Sequence, residues 1–210
     1  SSFILFGILF TFFLANSLIL WKPGILSPKI DYRPLALLFT TFIIGFGVKG
    51  ALVPFHGWVL DAHPEAPAPA SALLSGVMVN AGAFGIMRVI YNVFGTSLVR
   101  ELGFGIILAY AASFTIIVAS IMALAQDNLK RRLAYSTVGQ ISYIILGTAL
   151  LNPIAGWGGI VHITNHAFMK STLFLCSGII LKKAGKRNIS ELAGIGYRLP
   201  ITMTVFAVAA

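Results

Sequence analysis

His162, His166 and Lys170 stand four residues apart in the apolar stretch VHITNHAFMK, residues 161–170. In a helix, positions four apart drift only about 40° around the axis, so the three share one stripe roughly 12 Å long. Two imidazoles and an amine arranged this way suit proton movement. Histidine titrates closest to neutrality and exchanges a proton at either ring nitrogen. A lysine in apolar surroundings can release and regain one. Thr164, Asn165 and Ser171 could hold a short chain of waters beside them. A purely structural role, as hydrogen-bonded core residues, fits one such group better than three on one face. Zinc or haem ligation by the two histidines is disfavoured by Lys170, a cationic neighbour one turn away.

Other ionisable or polar groups interrupt the apolar runs. Lys49 precedes Pro54 by five residues, after Gly45 and Gly47 and beside Gly50. Proline removes a backbone donor and glycine weakens the turns around it, so a discontinuous helix is expected there, with His56 just past the break. Breaks of this kind hold ion sites in transporters. The alternative is a lysine snorkelling from a helix end. The segment DAHPEAPAPAS reads as a rigid surface turn, with Ser71 or a neighbour capping the next helix. Asp61, His63 and Glu65 make only a weak metal set there. Asn80 cannot titrate and can orient a partner or hold water, while Arg88 stays charged and suits an anchor or an electrostatic gate. Ser136, Thr137, Gln140 and Ser142 would line a wetted face or tie helices together. All six acids fall in or beside connectors, so a buried Lys49 would need its carboxylate partner from outside this stretch.

These groups must be positioned by membrane-spanning helices. The chain is 58% hydrophobic and 10% charged, too few charges to cover a soluble protein of this size. Runs near the 20 residues that a bilayer requires lie at about 3–20, 35–53, 70–94, 102–125, 133–150 and 156–181, and a seventh begins at about 200–210. No alternation suited to a barrel is present, so the class is all-α, a polytopic helical bundle. The first run stops at WKPG, an interface and turn signal. The net charge of +9 is spread between apolar runs rather than gathered on one face, which excludes a nucleic-acid partner and fits lipid headgroups. Lys130, Arg131, Arg132, Lys182, Lys183, Lys186, Arg187 and Arg198 outnumber Lys22, Lys29, Arg33 and Arg100 on the opposite side, placing the first set in the cytoplasm. Cys176 is alone, so no internal disulfide forms. The chain opens without Met and closes in the apolar ITMTVFAVAA, which suggests a fragment.

Three stretches then become recognisable together: VKGALVPFHGWVLDAHPEAPAPASALLSGVMVNAGAFGIMR, QDNLKRRLAYSTVGQISYIILG and HITNHAFMKSTLFLCSGIILKKAGKRNISELAGIGYRLP. They resemble the antiporter-like membrane subunits of respiratory complex I, those of the L, M and N types. The same superfamily includes the A-type and D-type subunits of multisubunit sodium/proton antiporters and the ion-pumping subunits of membrane hydrogenases. The resemblance implies roughly fourteen helices built on two inverted repeats, of which this chain would supply the middle ones. Lys49 matches the lysine of the family's broken helix, whose glutamate partner stands on an earlier helix. His162, His166 and Lys170 match the helix on the central hydrophilic axis. Asn80 departs from the lysine that many members carry in the third of these helices.

What the resemblance implies is a proton-translocating subunit of a multisubunit, NADH-quinone oxidoreductase-like translocase. The proton would pass Lys49, His56, His162, His166 and Lys170, with Asn80, Arg88 and Gln140 in gating or support. The chain would hold no redox cofactor and no metal. Its partners would be other membrane subunits, protons or sodium, and the lipid of a bacterial or archaeal inner membrane. A D-type sodium/proton antiporter subunit, a hydrogenase-linked ion pump, a stand-alone secondary transporter and a structural membrane scaffold are the alternatives.

Overall fold

The computed structural model describes residues 2–18 and 23–210; Trp21 and Lys22 of the WKPG turn lie outside them. The protein is all-α. It opens with α1 (Ser2–Ala15), whose apolar side chains are largely exposed. Next come α2 (Tyr32–Lys49), α3 (Gly57–Glu65) and α4 (Ala68–Leu73). α4 runs through a π-turn, Leu74–Met78, into α5 (Val79–Arg88), and a second π-turn, Val89–Phe94, completes one continuous rod. The short α6 (Thr96–Glu101) leads to α7 (Phe104–Leu124), α8 (Leu129–Ala149) and α9 (Pro153–Ala184). The small α10 (Ile195–Arg198) precedes α11 (Pro200–Ala209).

The rod Ala68–Phe94 and α7 are each long and apolar enough to cross a membrane. On α7 the faces divide cleanly. Leu108, Ala112, Thr115 and Ala119 are buried against α8, whereas Ile106, Tyr110, Phe114, Ile117 and Ile121 are exposed. An apolar face of that length is stable against hydrocarbon and not against water. The main core lies among α2, α5, the second π-turn, α7 and α8.

The expected helix break is present, but α2 stops at Lys49 rather than near residue 53. Gly50 caps it, with its N–H on the Phe46 carbonyl at 2.7 Å, and Ala51 turns the chain at φ 58°. The Val53–Pro54 peptide is cis. Trp58 Nε1 donates to the Val48 carbonyl at 2.7 Å, and Val53 N–H donates to Thr115 Oγ1 at 3.2 Å. The break is therefore tied to both the end of α2 and the middle of α7.

DAHPEAPAPAS is less of a turn than its prolines suggest. Asp61, His63 and Glu65 complete α3, and Ala66 and Pro67 form the link to α4. Proline suits the first turn of a helix, where its missing donor has no partner in any case. Ser71 is not a cap: it lies within α4, and its hydroxyl donates to the His63 carbonyl at 3.1 Å. The weak metal set is not assembled, since His63 is buried while Asp61 and Glu65 are exposed. Among the described residues no three such side chains converge.

At one end of the bundle the α7–α8 and α9–α10 connectors are joined. Leu129 N–H donates to the Arg187 carbonyl at 3.0 Å, and Ile189 N–H donates to the Asp127 carbonyl at 2.7 Å. The Asp127 carboxylate accepts from the Ser190 hydroxyl at 2.7 Å and from its N–H at 2.9 Å. Lys130 Nζ donates to the Ala66 carbonyl at 2.7 Å, adding the end of α3 to the same junction. The Ser190 hydroxyl, and then its backbone N–H, hold the Asp127 carboxyl below its ordinary titration range. A carboxylate so lowered stabilises the folded junction above its unfolded pKa and loses that contribution as pH falls through the folded value. The protection of the Ser190 amide, measured against its intrinsic exchange rate at each pH, should therefore fall on acidification below the ordinary aspartate range. Asp127→Asn should remove the pH dependence of that protection; a fall equal to the parent's would show the junction is held elsewhere.

Candidate functional site

The site is built on α9, whose start is capped by Asn152, its side chain accepting from Ile154 N–H at 2.9 Å. Gly76 lets the rod approach α9 closely: a Cβ there would lie 2.4 Å from Ser171 Oγ and 3.1 Å from the Ala167 carbonyl. α8 packs along the neighbouring side.

Successive turns of α9 each present one group to a different partner. His162 Nε2 lies 2.7 Å from Gln140 Oε1 of α8. His166, fully buried, places Nδ1 at 3.1 Å from Asn80 Oδ1 of α5. Lys170, only 2% exposed, donates from Nζ to Ser136 Oγ of α8 at 2.6 Å. One turn on, the Phe174 ring stacks on His63 of α3, centroids 4.4 Å apart. The two histidine rings on α9 are 6.3 Å apart. The ladder thus alternates titratable groups with neutral amides and a hydroxyl. Lys170, Ser136 and Gln140 also border a cavity of about 430 Å³, bounded on its far side by Met203 and Phe206 of α11.

The structure brings together His162, His166, Lys170, Asn80 and Gln140 from among the residues expected from sequence. His56 stands slightly apart: it is half-buried, Nδ1 has no protein partner among the described residues, and its ring is 6.3 Å from Tyr135, the neighbour of Ser136. Lys49 is not buried as expected. Its side chain is exposed, because it leaves the last turn of α2, where a cation also complements the helix C-terminus. Arg88 is exposed and outside the ladder. Thr164 and Asn165 face outward, so of the three polar neighbours expected to hold water only Ser171 turns inward, its hydroxyl 3.4 Å from the Ala72 carbonyl.

His63 was missed in the sequence, where the flanking prolines suggested a turn. It is 1% exposed and its Nδ1 has no protein partner among the described residues. A signal was present. His56, Val59, Leu60 and His63 follow the i, i+3, i+4, i+7 spacing of one helix face, and the last three are buried. A further buried link, Ser75 Oγ to Thr137 Oγ1 at 2.7 Å, joins the first π-turn to α8.

A helical bundle with lipid-suited outer faces and a buried ladder of amine, imidazole and amide groups defines a membrane protein built around internal ionisable groups. The whole chain, residues 1–210, matches the model of the family described as NADH:quinone oxidoreductase/Mrp antiporter, transmembrane. It is 36% identical over 210 residues to NADH-quinone oxidoreductase subunit N of Desulforudis audaxviator, covering 99% of this chain and 42% of that protein. It superposes on a chain of the Mrp complex from Dietzia with a TM-score of 0.86 at 26% identity, covering 99% of this chain and 38% of the other. A chain of the membrane-bound sulfane sulfur reductase, an archaeal respiratory membrane complex, matches at TM-score 0.82 and 26% identity, with 99% and 42% covered. The chain belongs to the NADH:quinone oxidoreductase/Mrp antiporter transmembrane family. It spans about two fifths of the length of these relatives.

Proposed function

We propose that this chain moves protons as the antiporter-like subunit of a multisubunit membrane complex, an NADH-quinone oxidoreductase or a related respiratory complex. α1, α2, the rod Ala68–Phe94, α7, α8 and α9 would be six complete spans and α11 the start of a seventh, in a bacterial or archaeal inner membrane. The observation that carries this reading is Lys170, a buried amine held by a neutral hydroxyl and flanked one and two turns away by His166 and His162. Burying an ammonium costs several kcal/mol, and one hydroxyl offsets only part of that. Both protonation states of the amine are then accessible, which a proton carrier needs.

In this reading Lys49 stores or hands over the proton and His56 helps it past the break. His162, His166 and Lys170 continue the central route, and Asn80, Arg88 and Gln140 support or gate it. This chain would contain no redox centre. Chemistry at a peripheral or neighbouring subunit would supply the energy, transmitted electrostatically through the lysines. A second reading, sodium/proton exchange as the resemblance implies, is supported by the match to a family described as including the Mrp antiporter.

The test is ion flux in proteoliposomes holding the intact complex, followed with a pH-sensitive dye with and without sodium. Lys49→Ala should lower proton flux by about tenfold or more. Flux that needs sodium on the opposite side would select the exchanger. Flux indifferent to Lys49→Ala would remove Lys49 from the route.

A further inference from the structure

Asn80 is 4% exposed and makes two hydrogen bonds whose directions are fixed by chemistry. Its Nδ2 donates to the Gly76 carbonyl at 2.7 Å. A carbonyl only accepts, so the amide nitrogen must face Gly76 and the amide oxygen must face His166. The oxygen also only accepts, so His166 Nδ1, 3.1 Å away, must carry the hydrogen. The other ring nitrogen, Nε2, is buried without a protein partner among the described residues. In the neutral ring it therefore presents a bare lone pair.

The backbone reinforces this choice. Gly76 lies in the π-turn Leu74–Met78, where the rod meets α9 at Ser171 and Ala167. That close approach sets the separation between Asn80 and His166. Turning the amide over would set its oxygen against the Gly76 carbonyl and lose that bond at a buried site, whichever tautomer the ring adopted. A buried carbonyl stranded in this way is left without the partner its desolvation requires.

We propose that Asn80 is a positioning residue that locks His166 in its Nδ1–H tautomer, so that His166 takes up and releases its proton at Nε2 alone. The consequence concerns direction. An imidazole that relays a proton onward receives it at one nitrogen and loses it from the other. Here the Nδ1 hydrogen points into a carboxamide, which cannot take it away. A proton taken up at Nε2, which no protein group bonds among the described residues, makes an imidazolium that returns to neutral only by releasing a proton from Nε2 again. His166 thus takes part in the central route through Nε2 alone and is not a step toward α5. The titratable groups acting on it are Lys170 and His162, both on its own helix. This inference rests on the proton-route reading, and it is tested separately.

The experiment is nitrogen-15 NMR of histidine-labelled full-length subunit in its lipid-reconstituted complex, with His166 assigned by its loss in His166→Gln. The neutral ring should show a protonated Nδ1 and a bare Nε2. Asn80→Ala should lose that signature in favour of a mixture or the Nε2–H form, and Asn80→Asp, which keeps the acceptor oxygen, should retain the Nδ1 hydrogen. An Nε2–H ring in the parent overturns the lock, as does a spectrum unmoved by Asn80→Ala. If Asn80→Ala does not assemble, the parent spectrum and Asn80→Asp still decide. Flux in His166→Gln separates the two ideas: unchanged flux with the Nδ1–H ring present removes His166 from proton transfer and leaves the tautomer assignment standing. Reduced flux with an Nε2–H ring removes only the lock.

Discussion

Lys170→Arg should cut proton flux through the intact complex by roughly a hundredfold or more, the scale on which a positioned proton donor or acceptor contributes. The substitution keeps a positive charge and a hydrogen-bond donor near Ser136. What it removes is the ability to become neutral, because a guanidinium does not deprotonate in proteins. Lys170→Met should give a similar loss for the opposite reason, since it is never charged. Loss in both variants, with the complex still assembled, would show that alternation between the two states is what matters. Flux preserved in Lys170→Arg would sink the proton-carrier role, because a fixed charge would then suffice. Ser136→Ala provides the intermediate case. It leaves the buried ammonium without its 2.6 Å partner, at a cost of about 1–3 kcal/mol, and should weaken rather than abolish flux.

The α9 ladder was legible because a spacing of four places residues on one face whatever surrounds the helix. Its partners were not. Asn80 and His166 are 86 positions apart and meet only because Gly76 brings the rod against α9. Gln140 and Ser136 were visible as polar interruptions of an apolar helix, without any indication of which side chain each would meet. The break after α2 was announced by glycines and Pro54, yet its position depended on Ala51 adopting φ 58°, which no residue type there advertises. Lys49 shows the limit of composition. An apolar run predicts that its neighbours avoid water, not that every residue in it is enclosed by the same chain. His63 shows the reverse error, a helical face concealed by the prolines after it.

The largest structural effect is expected at Gly82, where α5 crosses the end of α2. A Cβ there would lie 2.4 Å from Gly50 N, 2.7 Å from Gly50 Cα and 2.8 Å from the Lys49 carbonyl carbon. All three atoms are backbone, so no rotamer change relieves the contact. Gly82→Ala must push the rod away from the break, which loosens the core around Val79, Ala83 and Ile86 and displaces the turn that ends α2. Overpacking of this kind costs about 1–3 kcal/mol, and backbone contacts belong at the upper end. Gly158→Ala is the matched control: it lies in α9 with nothing within 4 Å of the added atom, and alanine is the better helix former by about 1 kcal/mol. Thermal unfolding of the purified complex should show Gly82→Ala clearly less stable than its parent and Gly158→Ala equal or better. Equal stability of the two variants would mean that α5 does not sit against the break as closely as its glycine requires. The same displacement should reach the site, because the rod that carries Gly82 also carries Asn80, two residues away. A shift there lengthens the bond to His166, so Gly82→Ala should disturb the His166 ring signature as well as the melting temperature.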